Sequence, residues 1–211
     1  MVQAPIKPNG KDTIQSAASQ PSTLESFLAL PETKPASEFI DGQIFQKAMP
    51  KGKHSRLQKQ LLFKIDAVVA LENVAEVFPE LRCSFGGRFP FREASPTIVP
   101  DLCIFKWERI PHDEDGDIAN TFDCAPDWTI EILSPDQSPT KVIKNILHCL
   151  DQGCEMGWML NPEEKEITVF PANSRSRMFS MESSEAIPVP DFAATLVLTA
   201  TEIFGWLSQV G

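Results

Sequence analysis

Two acids of this chain stand where acids are unfavourable. In Ala125-Pro-Asp-Trp-Thr-Ile-Glu-Ile-Leu-Ser-Pro135, Glu131 is flanked by Trp128, Ile130, Ile132 and Leu133. In Ile98-Val-Pro-Asp-Leu-Cys-Ile-Phe105, Asp101 follows a proline inside a second apolar run. An ionised carboxylate removed from water needs a partner, a metal ion or a raised pKa. If the two runs are neighbouring strands, their carboxylates face a single divalent cation. Mg²⁺ or Mn²⁺ suits such an all-oxygen site and keeps waters available for chemistry.

The segment after Glu131 adds cations. On a helical wheel Lys144, Asn145 and His148 fall beside Lys141, with Ile143, Ile146, Leu147 and Leu150 opposite. Lys141 lies in the first turn, where the helix dipole disfavours a lysine, so its placement invites a functional explanation. An exposed lysine on an amphipathic helix is the plain alternative.

These residues must be held by a set of elements that the pattern also marks. Phe39-Ile40 and Ile44-Phe45 flank Asp41-Gly42, a strong hairpin signal because both turn positions accept positive φ. Leu57, Leu61, Ile65, Val68 and Val69 recur at helical spacing, predicting a helix that begins near His54. Strands are predicted at 80–85, 88–91, 98–105 and 128–133, then a helix from Pro139 to Asp151, then strands at 158–160 and 167–170 around Asn161-Pro162. A short amphipathic helix carrying Ile203, Phe204 and Leu207 ends the pattern. This order predicts an α/β or α+β domain, a mixed sheet flanked by helices, over residues 31–211. The polar, proline-bearing residues 1–30 read as a solvated arm.

Composition narrows the function classes. No run of 18 apolar residues exists to cross a membrane as a helix, and the N-terminus lacks the apolar stretch of a secretory signal. Five cysteines without a CxxC pair point to reduced, mostly buried thiols and a cytoplasmic location rather than a zinc site. A formal net charge of −10 argues against nonspecific nucleic-acid binding by the chain as a whole. The charge is uneven, however. Lys47, Lys51, Lys53, Arg56, Lys59 and Lys64 follow one another with no acid between them, whereas Glu108, Asp113, Glu114, Asp115, Asp117 and Asp123 form an acidic stretch. The basic strip is either a solvated face or a seat for a phosphate backbone, with Lys51, Lys53 and Arg56 near the start of the first helix. Phe105, Trp107 and the acidic stretch read as a loop capping the sheet edge or as the surface of a homodimer.

Taken in order, EFIDGQI, the helix opened by His54, VPDLCIF, APDWTIEILSP, TKVIKNILHCL and GWMLNPEEKEITVF resemble the PD-(D/E)XK nuclease superfamily. More narrowly they resemble a large bacterial family of restriction-endonuclease-like proteins whose members mostly lack an assigned function. The similarity covers residues 35–171. It implies a restriction-endonuclease-like fold and metal-dependent hydrolysis of a phosphodiester, with DNA as the substrate. Asp101 matches the first metal-binding acid and Glu131 the second. The lysine of the (D/E)-x-K pattern is absent, because position 133 is leucine. In the family a lysine of the following helix is thought to stand in, which makes Lys141 the first candidate and Lys144 the second. Many superfamily members add a glutamate, for which Glu38 on the hairpin is the candidate metal ligand here; His54 is either a polar group at the mouth of the site, contacting nucleic acid with Lys51, Lys53 and Arg56, or a surface residue.

Three functions follow from the resemblance. One is a Mg²⁺- or Mn²⁺-dependent DNA endonuclease. Another is a catalytically inactive nuclease-fold protein that binds nucleic acid or protein, which the displaced lysine and the net charge both favour. The third is a hydrolase of another phosphorylated substrate.

Overall fold

The computed structural model describes residues 23–85, 96–135 and 137–208. In chain order they form α1 (Leu24–Leu28), the hairpin β1 (Ser37–Ile40) and β2 (Gln43–Gln46), α2 (Gly52–Val69), β3 (Ala75–Pro79), β4 (Cys83–Ser84), β5 (Thr97–Ile98), β6 (Leu102–Lys106), β7 (Trp128–Ile132), α3 (Pro139–Asp151), β8 (Met156–Asn161), β9 (Glu166–Pro171), β10 (Arg177–Ser180) and α4 (Ala200–Gly205). The mixed sheet with flanking helices predicted from the pattern is the fold observed.

The strands divide between two sheets. The larger has six strands in the order β10-β9-β8-β7-β6-β3, and the smaller has four in the order β2-β1-β5-β4. Every pairing is antiparallel except β7 with β8, which run parallel with α3 as their crossover. The run 98–105, expected as one strand, is two. Pro100 has no N–H to give a ladder, so pairing stops there and the chain passes from β5 of the small sheet to β6 of the large one. Asp101 lies at that crease.

Alternation along the central strands sorts side chains between two faces. Leu102, Ile104, Trp128, Ile130, Ile132, Trp158 and Leu160 pack with Leu57, Leu61, Ile65 and Val69 of α2 and with Ile203 and Phe204 of α4. Each such side chain contributes roughly 1.5–3 kcal/mol of burial. On the opposite face Cys103 and Phe105 meet Phe122, Cys149 and Cys154, while Leu133 and Met159 meet Val142 and Ile146 of α3. The helix α3 is pressed close to β8: a Cβ on Gly157 would come 2.2 Å from Ile146 Cγ2, so only glycine fits.

Several expectations need correction. The strand expected at 80–85 is replaced by β3 and the two-residue β4, because Ala75 and Val77, not Leu81, are the positions that alternate into the core. The strand expected at 88–91 lies outside the described residues. The last strand, β10, was not anticipated; only Phe179 of its four residues is buried, so its pattern is weak. Inside the expected arm, α1 is capped by Thr23 and buries Phe27 against Phe39, ring centroids 5.5 Å apart. On α3 the buried face is Val142, Asn145, Ile146 and Cys149, while Leu147 is 46% exposed. That face is turned from the apolar arc toward Asn145, because Asn145 has a buried partner. Phe105 is wholly buried and Trp107 half-buried against the same cluster. All five cysteines are free thiols, four of them buried. Among the described residues, no helix is long and apolar enough to cross a membrane.

Candidate active site

The two sheets meet around a buried group of charges. β6 and β7 pair antiparallel with Leu102 opposite Ile130, which brings Asp101 beside Glu131. Glu131 emerges on the face opposite Ile130 and Ile132, away from α2, while Asp101 at the crease also reaches α2. Asp101 is 2% and Glu131 1% exposed. Asp101 Oδ2 accepts the backbone N–H of Ile132 at 2.7 Å and contacts His54 Nε2 at 3.1 Å. Its backbone carbonyl accepts from Gln58 Nε2 at 3.0 Å and from Glu80 N at 3.2 Å. Asp101 is therefore fixed at both ends by α2 and by the loop after β3. Glu131 is held more loosely, and its Oε1 is buried with no partner among the described residues.

The cation beside these acids is Lys47, just beyond the end of β2. Its Nζ donates to Asp101 Oδ1 at 2.7 Å and to the Val99 carbonyl at 2.7 Å, and stands 3.5 Å from Glu131 Oε2. Burial alone would lower the pKa of this ammonium, but the charges of Glu131, Asp101 and Glu38 outweigh it and hold the pKa above the ordinary lysine value. Burial would likewise raise Asp101, yet Lys47 and the His54 hydrogen bond keep its carboxyl below the usual range. For Glu131 burial wins: despite Lys47, desolvation and the charges of Asp101 and Glu38 push its pKa upward. One cation thus serves two acids, and Glu131 is the less well served.

Glu38 of β1 forms a second group next to the first. Its Oε1 accepts from Val99 N at 3.2 Å, and Asn145 Nδ2 reaches both its oxygens at 3.1 and 3.2 Å. Lys141 Nζ lies 3.5 Å from Glu38 Oε2 and 4.4 Å from the centroid of the Phe45 ring. The geometry therefore brings Asp101, Glu131, Glu38 and Lys141 into one region, with Lys141 on Glu38 rather than on the other two acids. Lys144 is exposed on the outer side of α3.

The residues expected to contact nucleic acid are dispersed. His54 is buried behind Asp101 instead of standing at the surface. Lys51 is exposed at the start of α2, Lys53 pairs with Glu163 at 2.9 Å, and Arg56 Nε donates to the Trp206 carbonyl at 3.2 Å. A cleft of about 530 Å³ reaches Asp101 and Lys47, and is lined also by Lys34, Met49, His54 and Arg82.

The sequence reading missed Lys47, which it counted only within the basic strip, and Gln58. A signal for Lys47 was present. Glu38 pairs with Phe45 across the hairpin, so period-two alternation puts Lys47 on the same face as Glu38.

No three His, Cys, Asp or Glu side chains among the described residues are gathered closely enough to hold a metal ion by themselves. A small hard cation does not require three. Mg²⁺ is commonly bound through one or two carboxylates while keeping waters. Asp101 Oδ1, the Val99 carbonyl and Glu131 Oε2 make an all-oxygen set that already surrounds a positive charge, and the orphaned Glu131 Oε1 adds a further donor oxygen. The donors fit a divalent cation.

Comparison with known proteins agrees with this architecture. The sequence model of a family described as "Uma2: Putative restriction endonuclease" matches residues 24–201. A crystal structure described as "a putative nuclease belonging to DUF820 from Anabaena variabilis ATCC 29413" is similar with a TM-score of 0.83 and 49% sequence identity, covering 89% of this chain and 100% of that one. Among curated proteins nothing matches.

Proposed function

The chain belongs to the Uma2 family of putative restriction endonucleases, and from that premise we propose that it is a Mg²⁺- or Mn²⁺-dependent endonuclease hydrolysing DNA phosphodiesters. The observation that carries this reading is the pairing of Asp101 with Glu131, two buried carboxylates sharing a single cation position. A structural ion pair would satisfy both acids. Here Glu131 keeps an unpartnered buried oxygen, an arrangement that costs stability and is common at working sites. The same observation favours the enzyme over an inactive binding module.

Asp101 and Glu131 would hold the cation, with the Val99 carbonyl beside them and Glu38 within electrostatic reach. Such a cation, when bound, polarises the phosphoryl oxygen and acidifies an attacking water. The protein's own groups do the rest. His54, Gln58 and Ile132 N–H keep Asp101 in one orientation, so its oxygens need no reorganisation when substrate arrives. Glu131 accepts positive charge readily because its own environment underserves it. Lys141, steadied by Glu38 and Phe45, is near enough to the group to help balance the charge that a phosphate brings. Lys34 and Arg82 line the cleft and can meet the flanking backbone.

The test is cleavage of supercoiled and linear DNA with Mg²⁺ or Mn²⁺ by wild type, Asp101→Ala, Glu131→Ala and Lys141→Ala. We expect wild type to cut and the two acid variants to lose activity by at least about 10²-fold. Lys141→Ala is expected to cut more slowly. A folded wild type that neither cuts nor binds Mn²⁺ by calorimetry sinks the proposal and moves the protein to the binding-module reading.

A further inference from the structure

We infer that Lys47 is the active-site lysine missing from position 133, and that its amine occupies the cation's seat until a divalent metal displaces it toward the phosphate. The inference rests on the metal-dependent reading of the site. It concerns a residue that the (D/E)-x-K pattern does not mark, delivered from the other sheet.

Three observations support it. The ammonium touches Asp101 Oδ1, the Val99 carbonyl and, at 3.5 Å, Glu131 Oε2, which is the oxygen set a small divalent cation would take. Two cations cannot share that set, so a bound metal and Lys47 Nζ compete for it. The other candidate lysines are committed elsewhere. Lys141 lies on Glu38 and Phe45, Lys144 is exposed on the far side of α3, and Leu133 is packed with Val142, Ile146 and Met159. Finally, the backbone of Lys47 is held by its N–H donating to the Ala36 carbonyl at 2.9 Å, and the residue lines the cleft that leads out of the site. A four-carbon stem on a fixed backbone can swing its amine from the acids into that cleft without moving a strand.

The role is therefore double. Without metal, Lys47 neutralises a carboxylate pair that would otherwise repel. With metal, the same amine stands free at the cleft wall, where it can donate to a phosphoryl oxygen as negative charge develops.

Amine acylation of the intact wild-type protein, followed by mass spectrometry, tests this without a variant. Lys47 is expected to be protected in chelator and to label at least about tenfold faster with saturating Mn²⁺, as a buried ion-paired amine becomes a solvated one, while Lys53 serves as an unchanged reference. Calorimetry and kinetics on Lys47→Met supply the second arm. Its Mn²⁺ affinity should rise by about tenfold or more because the competing charge is gone, and its kcat should fall by about 10²-fold with little change in KM. The inference is overturned if wild type binds Mn²⁺ but Lys47 labelling does not respond, or if Lys47→Met turns over at the wild-type kcat. Absence of Mn²⁺ binding in both proteins, or binding that survives Glu131→Ala, instead removes the metal reading itself, and this inference with it.

Discussion

The two sheets contribute to one site by different means. The six-stranded sheet gives Glu131 from its middle, where the strands β7 and β8 are paired along five residues, and Asp101 from the point where the chain enters β6. The four-stranded sheet gives Glu38 and Lys47 from a hairpin whose second strand is largely uncovered, and which joins its neighbour through the single pair Phe39 with Thr97. The stiff sheet holds the groups that are hardest to bury, and the lightly paired one holds the cation. Acids whose desolvation is unfavourable need a frame that cannot yield, because any relaxation would let water in or the carboxylates apart. A cation that has to change places needs the reverse.

This contrast can be broken at its strongest point first. Trp158 is wholly buried, donates its indole N–H to the Pro188 carbonyl at 3.0 Å, and meets Trp128 edge-on with centroids 4.9 Å apart. Trp158→Ala is expected to lower unfolding free energy by about 3–5 kcal/mol in a denaturant titration. A loss below about 1 kcal/mol, the range of surface changes, would mean that the large sheet is not the rigid partner.

The bridge between the sheets comes next. Asn145 of α3 is the donor that satisfies Glu38 of β1, so Asn145→Ala leaves a buried carboxylate under-served and should destabilise by about 1–3 kcal/mol. Hydrogen exchange should locate the loosening in the hairpin 37–46, with β7 and β8 unchanged. Equal loosening of both sheets would mean that they do not differ in rigidity.

The acid pair makes a pH prediction in metal-free protein. The folded pKa of Glu131 is raised from 4.5 to about 8. A raised carboxyl lends its full stability below the unfolded pKa and loses it as pH climbs through the folded one. The stability of Glu131→Gln relative to wild type, measured in chelator, should therefore grow between those two values and level off above about 8. A difference that stays flat across that window would mean that Lys47 serves Glu131 fully.

The smallest effect is expected at the rim. Lys53 and Glu163 form an exposed pair, and Lys53→Ala should change stability by less than about 1 kcal/mol. Its effect on DNA affinity should disappear at high salt.

Legibility in the sequence followed the reach of each interaction. The hairpin was readable because Asp41 and Gly42, at φ 50 and 76, are the residue types that accept left-handed backbone. The central strands and α2 were readable from alternation and helical spacing. The strand β3 and the true face of α3 were not, because Ala75-Glu-Val-Phe-Pro is a weak pattern and Asn145 is buried for the sake of a partner far along the chain. The partners of His54, expected at the mouth of the site, and of Arg56, expected in the basic strip, were hidden for a similar reason: one is drawn inward by Asp101, and the other is tied to the Trp206 carbonyl.

The sequence alone determined that two acids lie in buried apolar runs and that they require positive charge, since apolar neighbours and desolvation suffice for that conclusion. It determined the turn and the helices α2, α3 and α4 by local preference. Only the tertiary structure decided which cation answers the acids. Lys47 is 54 residues from Asp101 and 84 from Glu131, and no periodicity links positions on different sheets. The physical reason is that a charge pair is selected by distance in space after folding, whereas residue spacing records only the face on which a side chain emerges.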